Sequence, residues 1–426
     1  MTQKIWTCTV SWSVVFRRNS LQNYFLQAGV LGRMYDLPAI RKDFPLLEEF
    51  IYLDNAATTQ TPVPAVKAME EYFYKYAANH GRGAHRLARM TTDRYENARE
   101  AVASFLNADV TGTVFTRNAT ESINMVAYGL QWHHGDHVIV SIVEHHSNLL
   151  PWLRLRDQGV EVTVVQVNEE GVVDPEQIEL SITDKTRFVA VNHVTNVFGS
   201  IQDIRTMVRI GHKNGCQILI DASQSAGHMP LDMKKVGADF LVTPGHKGLL
   251  GPQGTGILCL RDHDSIRPMY LGGGMVSSVS IDSYQIEASP ARFEAGTPNI
   301  PGVIGLGRAV EYVQDAGIEN IEKHETTLAK KAASLLAEIP QVQVYGPENR
   351  AGVVPFNVQG MNPHDVAIIL DQTCKICVRS GYHCAMPAIE NVGLKGTVRA
   401  SFALYNTIEE VEKLAEAVSS IAALVG

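Results

Sequence analysis

The stretches QILID at residues 217–221 and TPGHKG at residues 243–248 decide the fold. The first is an apolar run that ends in Asp221, a pattern typical of a buried strand. The second follows another apolar run and places Lys247 in a glycine-rich loop. Polar residues at the ends of successive buried strands predict a site at the carboxyl edge of a parallel sheet.

The pairing of Asp221 with Lys247 is what a pyridoxal phosphate (PLP) enzyme requires. A lysine amine can form the Schiff base, and an aspartate can keep the pyridine nitrogen protonated so that the ring withdraws electrons. A charged aspartate that closes a buried strand costs free energy unless a cation meets it, and a pyridinium is such a cation. The alternative is that Asp221 caps the helix that follows.

Further residues fit the same pocket. Thr120 lies where the N–H groups of a helix start would bind a phosphate, although it could equally be an ordinary helix cap. His145 could stack on the cofactor ring, but the adjacent His146 leaves the choice of histidine open. Gln224 could donate a hydrogen bond to the ring oxygen. Each of these signals is weak alone, and their order along the chain makes the set specific.

Short apolar runs alternate with helical periodicity from about residue 50, which predicts an α/β fold with a mostly parallel sheet of seven strands flanked by helices. The predicted strands are 113–116, 137–141, 161–167, 188–193, 217–221, 240–243 and 256–260. The predicted helices between them are 92–106, 121–128, 151–157, 204–214 and 233–236.

The chain is long enough for more than one domain. We expect a large cofactor-binding domain at residues 34–298 and a smaller α+β domain at residues 299–426, with residues 34–50 packing on the smaller domain. Residues 1–33 carry four basic residues and no acidic residue. We interpret them as a disordered tail or as translated sequence upstream of a true start at Met34; an organelle transit peptide is the alternative.

Composition narrows the function class. The hydrophobic fraction of 45% and charged fraction of 19% are typical of an ordinary soluble globular protein. A net charge of −8 argues against nucleic acid or an anionic membrane as the main partner, and no apolar run is long enough to span a bilayer. Six scattered cysteines are too few for a disulfide scaffold, so we expect a reducing cytoplasm. No metal site is predicted.

Seven short motifs carry a family resemblance that covers the chain from about residue 40 to its end. They are YLDNAA (52–57), EHHSN (144–148), HVTN (193–196), DASQ (221–224), GHK (245–247), RFEAGTPN (292–299) and RSGYHCA (379–385). With these motifs the chain resembles the class V aminotransferases of PLP fold type I. Within that family it resembles the group II cysteine desulfurases and the selenocysteine lyases.

The resemblance implies a role for each matching residue. The implied cofactor contacts are Ala119, Thr120, His145, Asn196, Asp221, Gln224, His246, Lys247 and Thr297, the last reaching the phosphate of a neighbouring subunit in a homodimer. The implied substrate contacts are Asn196, Arg379 and Arg399. Arg399 would bind the substrate carboxylate through two parallel N–H donors.

Cys384 indicates the reaction. An exposed loop thiol near cationic residues would be partly thiolate and therefore nucleophilic. We expect Lys247 to remove the Cα proton of L-cysteine and Cys384 to take the substrate sulfur as a persulfide. The catalytic residues are then Lys247, Cys384 and His145. The sulfur passes to an acceptor protein for the assembly of iron–sulfur clusters or another thio-cofactor.

Three alternatives stay open: a selenocysteine lyase, an aminotransferase, and a non-catalytic scaffold with the same fold. Cys384 argues against plain transamination, and the intact set of Lys247, Asp221 and Arg399 argues against a scaffold. Pro244 stands where the family usually has serine, so one phosphate hydroxyl is missing and Thr243 is the candidate to replace it.

Cys374 and Cys377 form a C-x₂-C pair that could bind a metal or form a disulfide. The chain has no second cysteine pair, and Cys377 lies inside an apolar run. Because a buried free cysteine behaves as a small hydrophobic residue, structural packing is the favoured interpretation.

Overall fold

A computed structural model describes residues 35–425, so the predicted leader at 1–33 lies outside the described residues. The strands are β1 (Ile51–Tyr52), β2 (Thr113–Thr116), β3 (His137–Ser141), β4 (Glu161–Val165), β5 (Thr186–Asn192), β6 (Gln217–Asp221), β7 (Phe240–Pro244), β8 (Gly256–Leu260), β9 (Val276–Val279), β10 (Tyr284–Ile286), β11 (Val342–Val344), β12 (Val353–Val358), β13 (Ile376–Cys377), β14 (Arg379–Gly381) and β15 (Thr397–Ser401).

The helices alternate with these strands over most of the chain. They are α1 (Leu37–Arg41), α2 (Val63–Glu71), α3 (Arg86–Leu106), α4 (Ala119–Gly129), α5 (Leu150–Arg154), α6 (Pro175–Ser181), α7 (Ile204–Lys213), α8 (Met233–Val236), α9 (Ile300–Ala316), α10 (Ile318–Ala337), α11 (Pro363–Cys374), α12 (Met386–Asn391) and α13 (Ile408–Ala422).

The large sheet confirms the predicted seven-stranded, mostly parallel arrangement. Its strand order is β2-β8-β7-β6-β5-β3-β4, and β3 to β7 run parallel to one another. β8 is antiparallel to both of its neighbours. The ends of three parallel strands lie side by side, because Asn192 pairs with Asp221 and Asp221 pairs with Val242. This edge positions the site.

Helix starts differ from the sequence prediction where a side chain caps the first turn. α3 begins at Arg86 rather than at 92, since the His85 ring accepts a hydrogen bond from the Ala88 N–H at 3.3 Å. α4 begins at Ala119 rather than at 121, because Asn118 caps it by accepting from the Glu121 N–H at 2.9 Å. Helical periodicity alone does not show these first turns, since capping depends on local polar side chains.

A second, four-stranded sheet has the order β11-β12-β15-β14, and its core packs against α10, α11 and α13. The apolar run that contains Cys377 begins in the short strand β13, and a second short strand, β14, follows it closely. β13 pairs with β1, whereas β14 pairs with β15, so that Arg379 lies opposite Arg399. A separate apolar cluster joins Ile40 and Phe44 to Val313 and Tyr405. The domain boundary near residue 299 stays a prediction.

Within residues 35–425 no helix is long and apolar enough to cross a bilayer. Cys374 is exposed at the end of α11, whereas Cys377 is half-buried in β13. In the same part of the chain, histidine, cysteine and acidic side chains form no cluster suited to a metal ion. The two cysteines of the C-x₂-C pair thus belong to different elements, Cys374 to α11 and Cys377 to β13.

We predict that Gly256→Ala disturbs the start of α4. A Cβ at Gly256 would lie 2.6 Å from the backbone carbons of Asn118, so β8 or the helix start must shift. We expect a loss of about 1–3 kcal/mol in the free energy of unfolding, the usual cost of overpacking. Gly273→Ala is the control, since a Cβ there meets nothing within 4 Å. Equal midpoints of urea unfolding for the two variants would contradict this prediction.

Candidate active site

A cavity of about 170 Å³ opens at the carboxyl edge of the large sheet. Ten of the predicted site residues line it: Ala119, Thr120, His145, Asn196, Asp221, Gln224, His246, Lys247, Arg379 and Arg399. Cys384 and Thr297 do not line it. The cavity therefore brings together residues from both sheets, with Arg379 and Arg399 contributed by β14 and β15.

Asp221 is buried at the end of β6 and does not cap a helix. Its Oδ1 accepts a hydrogen bond from the Ser223 N–H at 2.9 Å and another from the Ser223 hydroxyl. Within the described part of the chain, its Oδ2 has no protein donor. Burial raises the pKa of this carboxyl, and the Ser223 hydrogen bonds and Lys247 oppose that shift. A cation bound at Oδ2 would stabilise the ionised form.

Lys247 lies in the loop after β7, and the partly exposed surface of its side chain faces the cavity. Burial lowers the pKa of its amine to about 8, with Arg399 and Arg379 adding to the shift and Asp221 opposing it. A substantial fraction of the amine is therefore neutral near physiological pH. A neutral amine is the form that can attack an aldehyde or accept a proton.

Thr58 and Thr59, which follow β1, hold the loop that carries Lys247 in place. Backbone and hydroxyl groups of Thr59 donate to the carbonyls of His246, at 2.9 and 3.3 Å, and of Lys247, at 2.7 Å. The Thr58 hydroxyl also lies 3.2 Å from the His246 Nδ1. Burial lowers the pKa of His246 to about 4, so its ring is neutral. These contacts fix the direction in which Lys247 leaves the backbone.

His145 is the histidine that faces the cavity, which answers the choice that the sequence left open. Its Nδ1 accepts from the Ser147 N–H at 3.1 Å, so the ring proton is carried by Nε2. Burial lowers the pKa of His145 to about 3, and the neighbouring charge of Lys247 adds to the shift. His145 is therefore a neutral ring with one N–H available to the cavity.

The start of α4 offers hydrogen-bond donors beside these residues. Asn118, not Thr120, is the helix cap, so Thr120 is released from the capping role that competed for it. The N–H groups of Ala119 and Thr120 belong to the first turn, where a helix offers no internal acceptor. The Thr120 hydroxyl lies 2.7 Å from the Ser147 hydroxyl, which also lines the cavity. Two hydroxyls and a helix start suit a phosphate.

Ser147 also offers the hydroxyl that Pro244 lacks. Thr243 is buried, and its hydroxyl is directed at the Pro244 carbonyl, 3.4 Å away. Thr243 therefore does not line the cavity, whereas Pro244 does. Gln224 is tied by one N–H to the Ala56 carbonyl at 2.8 Å, which leaves its second N–H for a bound group.

Arg399 is a buried cation held between the two sheets. Its Nη1 donates to the Asn196 carbonyl at 2.8 Å, and its Nη2 lies 3.1 Å from the Asp54 carboxylate. Its Nε is buried without a partner among the described residues. Burial lowers the pKa of Arg399 to about 10, and Asp54 opposes the shift. Unused donors on a buried guanidinium are suited to a substrate carboxylate.

Arg379 contacts the thiol of Cys384. Its Nη2 donates to the Cys384 Sγ at 3.3 Å, a contact that stabilises negative charge on the sulfur. The sequence predicted an exposed thiol, but Cys384 is half-buried in the turn between β14 and α12. The Cys384 side chain is also near enough to Lys247 and Arg399, which line the cavity, to influence the pKa of both. The thiol thus lies beside the cavity.

Thr297 is exposed and lies in a separate surface groove with Tyr270 and Asn299. It therefore has no place in the cavity of its own chain. The sequence assigned roles to neither Asp54 nor Ser147, which the structure places at the site. Asp54 was visible only as part of a motif, and no local pattern indicated its partner 345 positions away.

The groups around the cavity fit PLP. Asp221 offers a carboxylate oxygen to a pyridinium, Lys247 offers a neutral amine to an aldehyde, and the start of α4 offers N–H and hydroxyl donors to a phosphate. The Nε of Arg399 has no partner among the described residues, and Arg379 adds a second cation to the cavity wall. Both features suit an amino-acid carboxylate. No metal-binding role is needed for this set.

Comparisons with known proteins agree with this geometry. Residues 51–414 match the family described as aminotransferase class V. A protein of Methanothermobacter thermautotrophicus named "Probable cysteine desulfurase" is 49% identical over 391 residues, which are 90% of this chain and 98% of that protein.

The solved structures that resemble this chain include cysteine desulfurases as well. The apo structure of a cysteine desulfurase from Thermococcus onnurineus superposes with a TM-score of 0.88 at 44% identity, covering 91% of this chain and 98% of that one. The Escherichia coli cysteine desulfurase CsdA, in an S-sulfonic acid form, superposes with a TM-score of 0.86 at 35% identity. The coverage in that case is 92% of this chain and 99% of that one.

We predict that Lys247 of the cofactor-free protein reacts as an amine with a pKa of about 8. Its rate of acetylation by acetic anhydride, followed by peptide mass spectrometry, should be half-maximal near that pH rather than near the ~10.4 of an ordinary lysine. In Asp221→Asn the midpoint should move to lower pH, since the carboxylate favours the ammonium form. An upward shift in that variant would contradict the assignment.

Proposed function

The chain belongs to the class V aminotransferase family, and we propose that it is a PLP-dependent cysteine desulfurase that converts L-cysteine to L-alanine and retains the sulfur as a persulfide on Cys384. The single observation that supports this reaction is the position of a thiol beside the cavity. The Cys384 Sγ lies 3.3 Å from Arg379, whose guanidinium lines the same cavity as Lys247.

Substrate binding is assigned to the two arginines. L-cysteine carries one carboxylate, and Arg399 lines the same cavity as Arg379 and has a donor that no described residue uses. Asn196 holds the Arg399 guanidinium through its carbonyl and can assist in binding. Asp54 neutralises part of the cationic charge before the substrate arrives. Burial of these groups strengthens their attraction for a carboxylate.

Proton transfer at Cα is assigned to Lys247. When bound, PLP acts as an electron sink that delocalises the charge left as the Cα–H bond breaks. Asp221 would pair with the ring nitrogen, and the neutral His145 would stack on the ring. Gln224, His246, Ala119 and Thr120 would complete the cofactor contacts. The Lys247 amine, with a pKa of about 8, suits a general base near neutral pH.

Sulfur transfer is assigned to Cys384. Its thiolate attacks the substrate sulfur, so the S–S bond forms as the Cβ–S bond breaks. The electron pair of the broken Cβ–S bond takes up a proton at Cβ, and the protonated Lys247 amine returns a proton to Cα, which gives L-alanine. L-cysteine and one enzyme thiol thus become L-alanine and one enzyme persulfide, with no keto acid or oxidant. Arg379 stabilises the attacking thiolate.

The persulfide sulfur would then pass to an acceptor protein for iron–sulfur cluster or other thio-cofactor assembly. A half-buried Cys384 remains accessible to an incoming thiol, and the next turn carries an exposed Met386. The cysteines at positions 216, 259, 374, 377 and 384 are all free, which supports a reducing cytoplasm as the compartment.

The reaction is tested by tracking sulfur on Cys384. After incubation of the PLP-loaded enzyme with L-cysteine alone, we expect alanine to form and the Cys384 peptide to gain one sulfur atom. Cys384→Ser should slow alanine formation by at least about 100-fold, because the nucleophile is removed. Cys374→Ser is the matched control, since that thiol is exposed outside the cavity.

Two outcomes would refute the proposal. Alanine formation at the wild-type rate in Cys384→Ser would remove the thiol from the reaction. A requirement for 2-oxoglutarate would instead indicate an aminotransferase. Parallel assays with L-selenocysteine measure whether the enzyme prefers selenium, in which case it is a selenocysteine lyase.

We also propose a homodimer with shared sites. Thr297 is exposed and absent from the cavity of its own chain, so its hydroxyl is free to serve a partner. The β9–β10 hairpin exposes large apolar side chains as well: Val279 is 69% exposed, Ile281 99% and Tyr284 56%. Apolar surface of this kind favours association.

Mixed dimers test this arrangement. Thr297→Ala should weaken PLP binding by about 10-fold or more, the effect of losing a hydrogen bond to a charged group. When it is refolded together with Lys247→Ala, one site of the mixed dimer regains both native residues, and half of its sites should bind PLP with wild-type affinity. A mixture that never recovers this affinity would place Thr297 in the site of its own chain.

A further inference from the structure

The second histidine of the EHHSN motif contacts the nucleophile turn instead of the cavity. The His146 backbone N–H donates to the Cys384 carbonyl at 2.7 Å. Its ring Nε2 accepts from the Met386 N–H at 3.1 Å. His146 therefore contacts the backbone on both sides of Ala385, while His145 faces the cavity. The two ring centroids are 6.3 Å apart.

The turn needs an external acceptor at this point. Helix α12 begins at Met386, and Ala385, the residue after Cys384, occupies its N-cap position without a side chain that can cap. The first N–H groups of a helix have no internal acceptor, so a capping group must come from elsewhere. The His146 ring supplies it from a loop 240 positions away in sequence.

The Cys384 turn has a strained backbone, which explains why it needs the contacts from His146. His383 and Cys384 are consecutive non-glycine residues with positive φ, at 52° and 57°. Residues with a Cβ adopt this conformation at a cost in free energy and keep it only where their surroundings enforce it. Asn196 donates to the His383 carbonyl at 2.7 Å, and His146 donates to the Cys384 carbonyl. Both restraints come from the large sheet's side of the cavity.

We propose that His146 is a positioning residue that holds the Cys384 turn in the geometry required for attack on the substrate sulfur. This inference rests on the proposed role of Cys384 as nucleophile. The two histidines of the EHHSN motif then have different roles. His145 faces the cofactor cavity, and His146 contacts the turn that carries Cys384. Burial lowers the pKa of His146, so its Nε2 lone pair is available to the Met386 N–H at neutral pH.

The test compares His146→Ala with His146→Gln in the PLP-loaded enzyme. Gln has a similar reach and an oxygen that can accept from the Met386 N–H, whereas Ala has no acceptor. In His146→Ala we expect alkylation of Cys384 by iodoacetamide to accelerate about five- to tenfold, as expected when one hydrogen bond no longer restrains a turn. His146→Gln should return the alkylation rate towards that of the wild type.

A second set of measurements separates positioning from a role in cofactor binding. In His146→Ala, kcat for persulfide formation should fall about tenfold while KM changes by less than about twofold, since the reacting atoms are misaligned but substrate binding is kept. The cofactor absorbance and the affinity for L-alanine should stay as in the wild type. His133→Ala is the control, because its ring contacts Asp136 and Arg187 instead of the Cys384 turn.

An unchanged alkylation rate in His146→Ala would overturn the proposal. So would an altered cofactor spectrum, which would assign His146 to the cofactor site, or a failure of His146→Gln to restore either rate. If the wild-type enzyme forms no persulfide, the proposed function fails by itself, while the alkylation comparison still reports whether His146 holds the turn.

Discussion

The buried carboxylate of Asp221 is the interaction on which the site depends. It is buried at the end of β6, between the ends of β5 and β7, and its side chain lines the cavity. Ser223 satisfies only Oδ1, so the remaining oxygen requires a cation from inside the cavity. The same charge keeps the pKa of Lys247 from falling further. Asp221 thus favours a cation at its free oxygen and also favours the charged form of the Lys247 amine.

Around this carboxylate, the two sheets contribute opposite kinds of chemistry. The large sheet supplies the neutral His145, the Lys247 amine and the start of α4, whose first N–H groups have no acceptor within the helix. The small sheet supplies cations, since β14 and β15 place Arg379 opposite Arg399. Two like charges this close repel, and Asp54 together with the Cys384 sulfur offsets that repulsion. A carboxylate substrate and a thiolate nucleophile both benefit from the cations that remain.

The loops at the site are restrained by contacts between distant segments. Thr59 holds the carbonyls of the lysine loop, Asn196 holds the turn before Cys384, and His146 holds the turn itself. These hydrogen bonds lie where the chain has little regular structure of its own. They explain how a loop lysine and a loop cysteine keep a defined geometry, which attack on a bound sulfur requires.

The sequence by itself determined the strands and the charges at their ends. Apolar runs with polar termini are local signals. Their alternation with helical periodicity indicated the seven-stranded sheet, and QILID and TPGHKG indicated Asp221 and Lys247. Motif likeness added Arg399 and Cys384. The choice of His145 over His146 rested on motif likeness alone, and in the structure His145 is the one that lines the cavity. Only the tertiary structure decided that Asp54 neutralises Arg399 and that Arg379 contacts the thiol. Those pairings join segments far apart in the chain, and periodicity carries no information about which distant side chains meet.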